Sequence, residues 1–281
     1  MKSNAHPMVS VCIPTYWGAT YLGATIESVL RQSYTSFEVL VIDDNSPDNT
    51  GALVNSYTDP RVRYFRNESN LGPEGNWNRG LELARGKYYK LLPQDDLLEY
   101  DCLATQVAVL EADTTAQISL VFGSRVIIDP RGRMFMTRGL PRRKAGRIDG
   151  CALVRNCIRA GANLIGEPGN GMIRREMATI VGPYDGTFPY VIDLDYWARV
   201  LLNGDAHYTA SRASSFRISK GSWSVTIWAR QAAEYAAFIE KIAADRRFGL
   251  SMTDRIAGHA NARINSFGRR LVYCLLLRGC Q

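Results

Sequence analysis

The sequence predicts an open α/β fold: a mostly parallel sheet flanked by helices, followed by a helical C-terminal extension. Two observations carry this expectation. Over the first hundred residues, short β-prone apolar runs alternate with segments whose apolar residues recur at helical spacing, the pattern that βαβ crossovers produce. Beyond residue 220 the strand-like runs stop and helical spacing takes over.

Val9 to Ile13 is the first strand, and Pro14 is expected to end it. Leu22, Ile26, Val29 and Leu30 form a helix behind Thr20, a candidate N-cap. Phe37 to Ile42 is the second strand, cut by the turn residues Asp43-Asp44-Asn45-Ser46-Pro47. Leu53, Val54 and Tyr57 mark a weak helix, and Val62 to Phe65 a third strand. Trp77, Leu81, Leu83 and Ala84 mark a helix closed by Gly86, and Tyr88 to Leu92 is the fourth strand. A helix over residues 100–112 and a strand from Ile118 to Phe122 follow. Between Val126 and Ile148, Gly, Pro and Arg dominate, which predicts a hairpin and an exposed loop. Helical character returns at 150–160 and 194–202. Trp223, Ile227, Tyr235, Phe238, Ile239 and Ile242 predict one long amphipathic helix ending before Gly249.

Composition narrows the function. With 281 residues, 46% of them hydrophobic and 22% charged, the chain can bury a core, which excludes wholesale disorder. No apolar run approaches the roughly 20 residues of a membrane span, and the start lacks a secretory signal pattern. Six cysteines without C-x-x-C spacing and only three histidines argue against a disulfide scaffold or a structural zinc site. A reduced, cytoplasmic protein is expected. The net charge of +7 rests on 28 arginines against six lysines, and such an excess attracts polyanions: nucleic acid, anionic lipid or phosphorylated substrates.

In an open parallel sheet, ligands bind outside the carboxyl ends of the strands. Those ends carry Pro14-Thr15-Tyr16, Asp43-Asp44, Arg66-Asn67 and Gln94-Asp95-Asp96. Neither a G-x-G-x-x-G nor a P-loop follows the first strand, so a glycine nest does not hold phosphates here. Adjacent carboxylates repel unless a cation compensates, and Mg²⁺ or Mn²⁺ suits a carboxylate pair completed by diphosphate oxygens.

At these residues the chain resembles the family 2 glycosyltransferases of the GT-A fold, whose sheet is Rossmann-like. The matching segments are Val9–Tyr16, Leu40–Ser46, Arg63–Gly86 with Asn70-Leu71-Gly72 and Asn78-Arg79-Gly80, and Gln94-Asp95-Asp96 in place of a D-x-D-like motif. Gly166-Glu167-Pro168, Met172–Arg175 and Asp193-Leu194-Asp195-Tyr196-Trp197 continue the likeness. Trp17 stands where the family commonly has Asn, Ser219 where it often has His, and Ile192 where Glu is usual.

The resemblance implies a glycosyltransferase domain over residues 1–220, with 1–98 binding the nucleotide sugar and 99–220 the acceptor, and a helical extension over 221–281. It implies that Pro14, Thr15, Tyr16, Asp44 and Asp95 bind the nucleotide. Asp96 engages Mn²⁺ or Mg²⁺, and Asp193 is the general base. Read from the residues themselves, Glu167 is either an acceptor contact or an ordinary loop carboxylate, and Arg217 either pairs with the diphosphate or is a surface cation. The donor is expected to be UDP-linked, and the acceptor to be a glycan or lipid-linked, with inversion at the anomeric carbon. The apolar and basic run from Arg263 to Arg278 suits a peripheral contact with the inner face of a membrane, or packing against the domain itself or against a second subunit of a homodimer. Two other readings stay open: a non-catalytic sugar-nucleotide-binding relative, and a basic nucleic-acid-binding protein, although no nucleic-acid motif is present.

Overall fold

Sheet topology decides where a ligand can sit. The structure, a computed structural model, describes residues 6–278. Strands β1 (Val9–Thr15), β2 (Phe37–Asp43) and β3 (Val62–Arg66) are parallel neighbours, and β4 (Tyr88–Leu91) joins on the opposite side of β1. Helices α1 (Leu22–Leu30), α2 (Thr50–Asn55) and α3 (Gly72–Leu83) supply the crossovers. The chain therefore reverses its direction of travel between β1 and β4, which opens a crevice at their carboxyl ends.

Behind β4 come β5 (Leu97–Leu98), α4 (Cys102–Ala112), β6 (Ile118–Ile128), β7 (Met134–Arg138), β8 (Gly146–Ile148) and α5 (Gly150–Ala160). Then follow β9 (Gly171–Arg174), α6 (Glu176–Val181), α7 (Ile192–Leu201) and β10 (Asp205–Arg217). Last come α8 (Trp223–Thr226), α9 (Gln231–Ala244) and α10 (Met252–Arg278). The sheet order is β3-β2-β1-β4-β9-β6-β10-β5, with β7 on β6 and β8 on β10. Six of the ten strands among the described residues run the same way; β9 inserts antiparallel between β4 and β6.

Several expectations change at element ends. Pro14 does not end β1: it pairs with Ile42, whereas the β1–β4 ladder stops at Cys12 and Leu91, so its missing N–H costs no ladder bond. Thr20 is not the cap of α1; that position falls on Tyr21, without a side-chain bond. The expected long helix from Trp223 is two, α8 and α9, separated by a turn. The hairpin expected after Val126 is present as β6 and β7.

Alternation along the strands sends side chains to both faces. Val11, Ile13, Val39 and Val41 share a cluster with α1 and α4, while Cys12 and Ile42 pack on α3 at Gly80 and, with Leu40, Leu120 and Phe122, join the cluster that includes α5, α7 and α9. Tyr235, Phe238, Ile239 and Ile242 of α9 and Ala262 of α10 are buried in this second cluster, so the C-terminal helices are built into the core of the sheet. Gly161, at φ +61°, ends α5 against α10; a Cβ there would lie 2.3 Å from the Ala262 nitrogen. The two helices thus meet backbone to backbone, which fixes α10 against α5.

Candidate active site

The β1–β4 crevice is tied together by one amide. The Gln94 side chain accepts from the Tyr16 N–H at 2.9 Å and donates to the Tyr16 carbonyl at 2.9 Å, and the Thr15 hydroxyl also bonds its Oε1. Thr15 is buried under this clasp, Pro14 is buried in the strand, and Tyr16 stands exposed at the crevice mouth. Asp44 is buried, accepting from Asn67 Nδ2 at 2.9 Å and from the Leu71 and Gly72 N–H groups at 2.8 and 2.9 Å. Its carboxylate holds the loop that opens α3, a favourable place for an anion.

Beyond Gln94 the chain turns tightly. Asp96 is 1% exposed and accepts from the Arg217 N–H at 3.0 Å; burial and then the neighbouring Asp95 raise its carboxyl well above the ordinary value. Asp95 is half-buried, and burial raises it too, although Ser222 donates to its Oδ2 at 3.1 Å. Arg217, expected to meet a diphosphate, is 4% exposed with its guanidinium turned onto backbone. It donates to the carbonyls of Asp95 (2.9 Å), Asp129 (3.3 Å) and Pro130 (3.2 Å), and it lies 4.6 Å over the Tyr21 ring. It fastens the acidic turn to the β6–β7 connection. Ser219 bonds Ser222, and thereby reaches Asp95, where the family often has His.

These residues fit a divalent cation only in part-finished form. Asp96, buried, and Asp95, half-buried, are adjacent carboxylates with no side-chain ion pair among the described residues, the donor type that hard cations take. Among the described residues no three Asp, Glu, His or Cys are placed to hold a metal ion together, so remaining ligands would have to come from the donor's diphosphate and water.

Next to the acidic turn, one cavity of about 230 Å³ is lined by Asp95, Asn163, Glu167, Asp193 and Trp77, with Arg269, Val272 and Tyr273 of α10 closing one wall. Asp193 lies in the first turn of α7 and accepts from Asn163 Nδ2 at 2.9 Å and from the Leu194 N–H at 2.7 Å. Burial, with Glu167 adding repulsion, pushes its carboxyl up to about 7. Glu167 is held by an ion pair to Arg125 at 2.5 Å. Asp195, two residues on, is committed to Arg199 and Lys241 and plays no part in the cavity.

Thus Asp95, Glu167 and Asp193, far apart in sequence, share one cavity, while Thr15, Tyr16 and Asp44 line the crevice beside it. Sequence reasoning missed three contributors: Gln94 as clasp, Asn163 as the donor to Asp193, and α10 as a wall. Trp17 has φ +55° and is exposed, with its N–H on Ser46 Oγ at 3.1 Å. That left-handed backbone favours Asn, which explains the family's usual residue and makes Trp17 strained.

A sequence profile described as glycosyl transferase family 2 matches residues 10–177. An uncharacterized protein of Mycobacterium tuberculosis is 32% identical, over 70% of this chain and 63% of its own length. An Escherichia coli relative, WfgD, is a UDP-Glc:α-D-GlcNAc-diphosphoundecaprenol β-1,3-glucosyltransferase; it is 28% identical over 76% of this chain and 79% of its own. The chain spans 63% of the first of these and only 35% of an uncharacterized glycosyltransferase of Rickettsia felis. Among solved structures, S. aureus TarS 1–349 in complex with UDP-GlcNAc superposes with a TM-score of 0.69 at 18% identity, covering 92% of this chain and 72% of that one. The mannosyltransferase PcManGT of Pyrobaculum calidifontis, in complex with GDP-Man and Mn²⁺, gives 0.64 at 18%, covering 99% and 77%. These neighbours share the GT-A fold. With its profile match over more than half the sequence and the strand-end acids in place, the chain belongs to glycosyl transferase family 2.

Proposed function

We propose that the protein transfers a sugar from a nucleotide-diphosphate donor to an acceptor hydroxyl, with inversion, in the synthesis of a cell-surface glycan. The observation that carries this reading is the cavity in which Asp193, poised near neutrality, meets Asp95 at the strand ends. A UDP-linked donor is supported by WfgD and by the complexes of TarS, and a divalent cation by PcManGT. Thr15, Tyr16 and Asp44 shape the nucleotide crevice. Asp95 and Asp96 would hold Mn²⁺ or Mg²⁺, which when bound neutralises charge on the departing diphosphate. Asp193 takes the acceptor proton as the hydroxyl attacks, help typically worth roughly 10²–10⁴-fold. Glu167, kept in place by Arg125, orients the acceptor, and Arg217 keeps the acidic turn in register.

The reading includes a peripheral seat on the cytoplasmic leaflet and a lipid-linked acceptor. Ile256, Ile264, Phe267, Leu271 and Leu275, each at least 58% exposed, recur at helical spacing on the face of α10 opposite Ala262, Ser266 and Tyr273, which are buried. Exposed Arg263 and Arg270 flank the stripe, which suits an anionic bilayer. Among the described residues no helix is long and apolar enough to cross a membrane.

Calorimetric titration of UDP and UDP-sugars with and without Mn²⁺, followed by product analysis with lipid-linked acceptors, tests the activity. Nucleotide binding without sugar consumption would identify a non-catalytic relative. Co-sedimentation with phosphatidylglycerol vesicles tests the seat: an Ile264→Asp, Phe267→Asp protein should stay in solution. Wild type that ignores vesicles and elutes as a dimer would assign the stripe to self-association instead.

A further inference from the structure

We infer that the basic groove between the β7–β8 connection, α5 and α10 is a binding site for the phosphodiester headgroup of an anionic phospholipid. The inference rests on the reading of α10 as a membrane seat and names the lipid class that the seat selects. Residues 131–160 hold nine arginines and lysines and a single acid, Asp149, a net charge of +8. The whole chain carries +7, so everything outside this segment sums to −1 and the excess charge has one location. The fold gathers part of it around a groove of about 710 Å³. Arg143, Lys144 and Arg147 line the groove from around β8, and Arg159 lines it from α5.

Among the described residues no aspartate or glutamate lines this groove, and of its four cations only Arg147 has an ion-pair partner, Asp205. The other acids nearby are committed: Asp149 accepts from the Ala152 N–H at the start of α5, and Asp254 from Ser251. Each cation by itself is an ordinary solvated side chain. Their signal is collective, because charge of one sign along a concave wall focuses the field and concentrates anions there. The rest of the lining decides which anion. Leu140, Ile148, Leu153 and Leu164 are apolar, and no aromatic ring is present on which a nucleobase could stack. Cations above apolar side chains match a phosphodiester with a glycerol ester beneath it. Asn261 of α10 forms the groove's edge, with its Nδ2 on the Arg159 carbonyl at 2.8 Å. Ile264, in the exposed stripe, lies less than one helical turn further on. A bilayer that takes the stripe therefore brings its headgroups to the groove.

The test measures partition of the full chain onto vesicles of phosphatidylcholine, with and without phosphatidylglycerol, at matched ionic strength. Wild type should prefer the phosphatidylglycerol vesicles by at least tenfold. At roughly fivefold per basic residue at an anionic surface, an Arg143→Gln, Arg159→Gln protein should lose about 25-fold on those vesicles. Its binding to phosphatidylcholine alone should be unchanged. An Arg31→Gln, Arg79→Gln protein sheds the same charge from the front half and should lose far less. Melting within a few degrees of wild type shows that the variants fold. A groove variant that binds phosphatidylglycerol like wild type, or a control that loses as much, overturns the inference and leaves the stripe's seat standing. So does a wild type without preference for phosphatidylglycerol. Release from vesicles when inorganic phosphate replaces chloride at equal ionic strength would assign the groove to a free anion. Tighter binding of a short DNA duplex than of vesicles would assign it to nucleic acid; either result overturns the lipid. Wild type that ignores every vesicle overturns the seat itself.

Discussion

Asp193 is where catalysis and stability should oppose one another. Its carboxyl is raised from 3.8 to about 7, chiefly by burial. Between those values the native state keeps a proton that the unfolded chain has lost, so wild-type stability falls as pH climbs through that window, and the loss is complete above about 7. At about 1.4 kcal/mol per pH unit, the gap amounts to about 4 kcal/mol. Asp193→Asn removes this penalty and preserves the shape, keeping an acceptor for either Asn163 or the Leu194 N–H. The variant should therefore match wild type near pH 4 and be about 4 kcal/mol more stable at pH 8. Its transfer rate should drop by roughly 10²–10⁴-fold. Urea denaturation at pH 4, 5.5, 7 and 8 reads the first effect, and a fixed-time transfer assay the second. In wild type, transfer should rise with pH through about 7, because only the carboxylate accepts a proton. A stability difference independent of pH, or a variant that keeps full activity, would refute the reasoning.

Three further outcomes follow from buried groups. Gly161→Ala places a methyl 2.3 Å from the Ala262 nitrogen at a left-handed φ, so α10 must shift; the melting temperature should fall, and acceptor KM should rise more than donor KM. Burial alone would raise the Glu38 carboxyl, but bonds from Arg85, Ser10 and Arg63 together hold it below its ordinary 4.5. Its contribution is present above that pH and lost on acidification, so the deficit of Glu38→Gln, about 2 kcal/mol at pH 7, should shrink below pH 4 in urea titrations. Arg217→Ala strips three carbonyls and the acidic turn of their shared cation; denaturation should show a loss of about 3 kcal/mol, and a loss under about 1 kcal/mol would count against the clamp.

The front half was legible because its signals are local. Valine- and isoleucine-rich runs such as 39–42 can be buried on both faces only in a covered parallel sheet, and each run ends in the acids or turn residues that mark a crevice. β10 was not legible: its run Ala206 to Ser215 is polar and bulged, and it is a strand because β6, β8 and β5 bond it, not because of its own alternation. The same holds for the break between α8 and α9, where a continuous apolar spacing hides a turn.

The site divides in the same way. Sequence by itself determined the sheet-and-crossover class, the family likeness and the acids at strand ends, because residue type and short spacing encode them. Only the tertiary structure decided that Asp95, Glu167 and Asp193 share a cavity, that Arg217 faces backbone, and that α10 supplies a wall carrying Arg269. Each of those depends on contacts between segments dozens of residues apart, and on burial that raises a carboxyl. Neither quantity exists until the chain has closed around them.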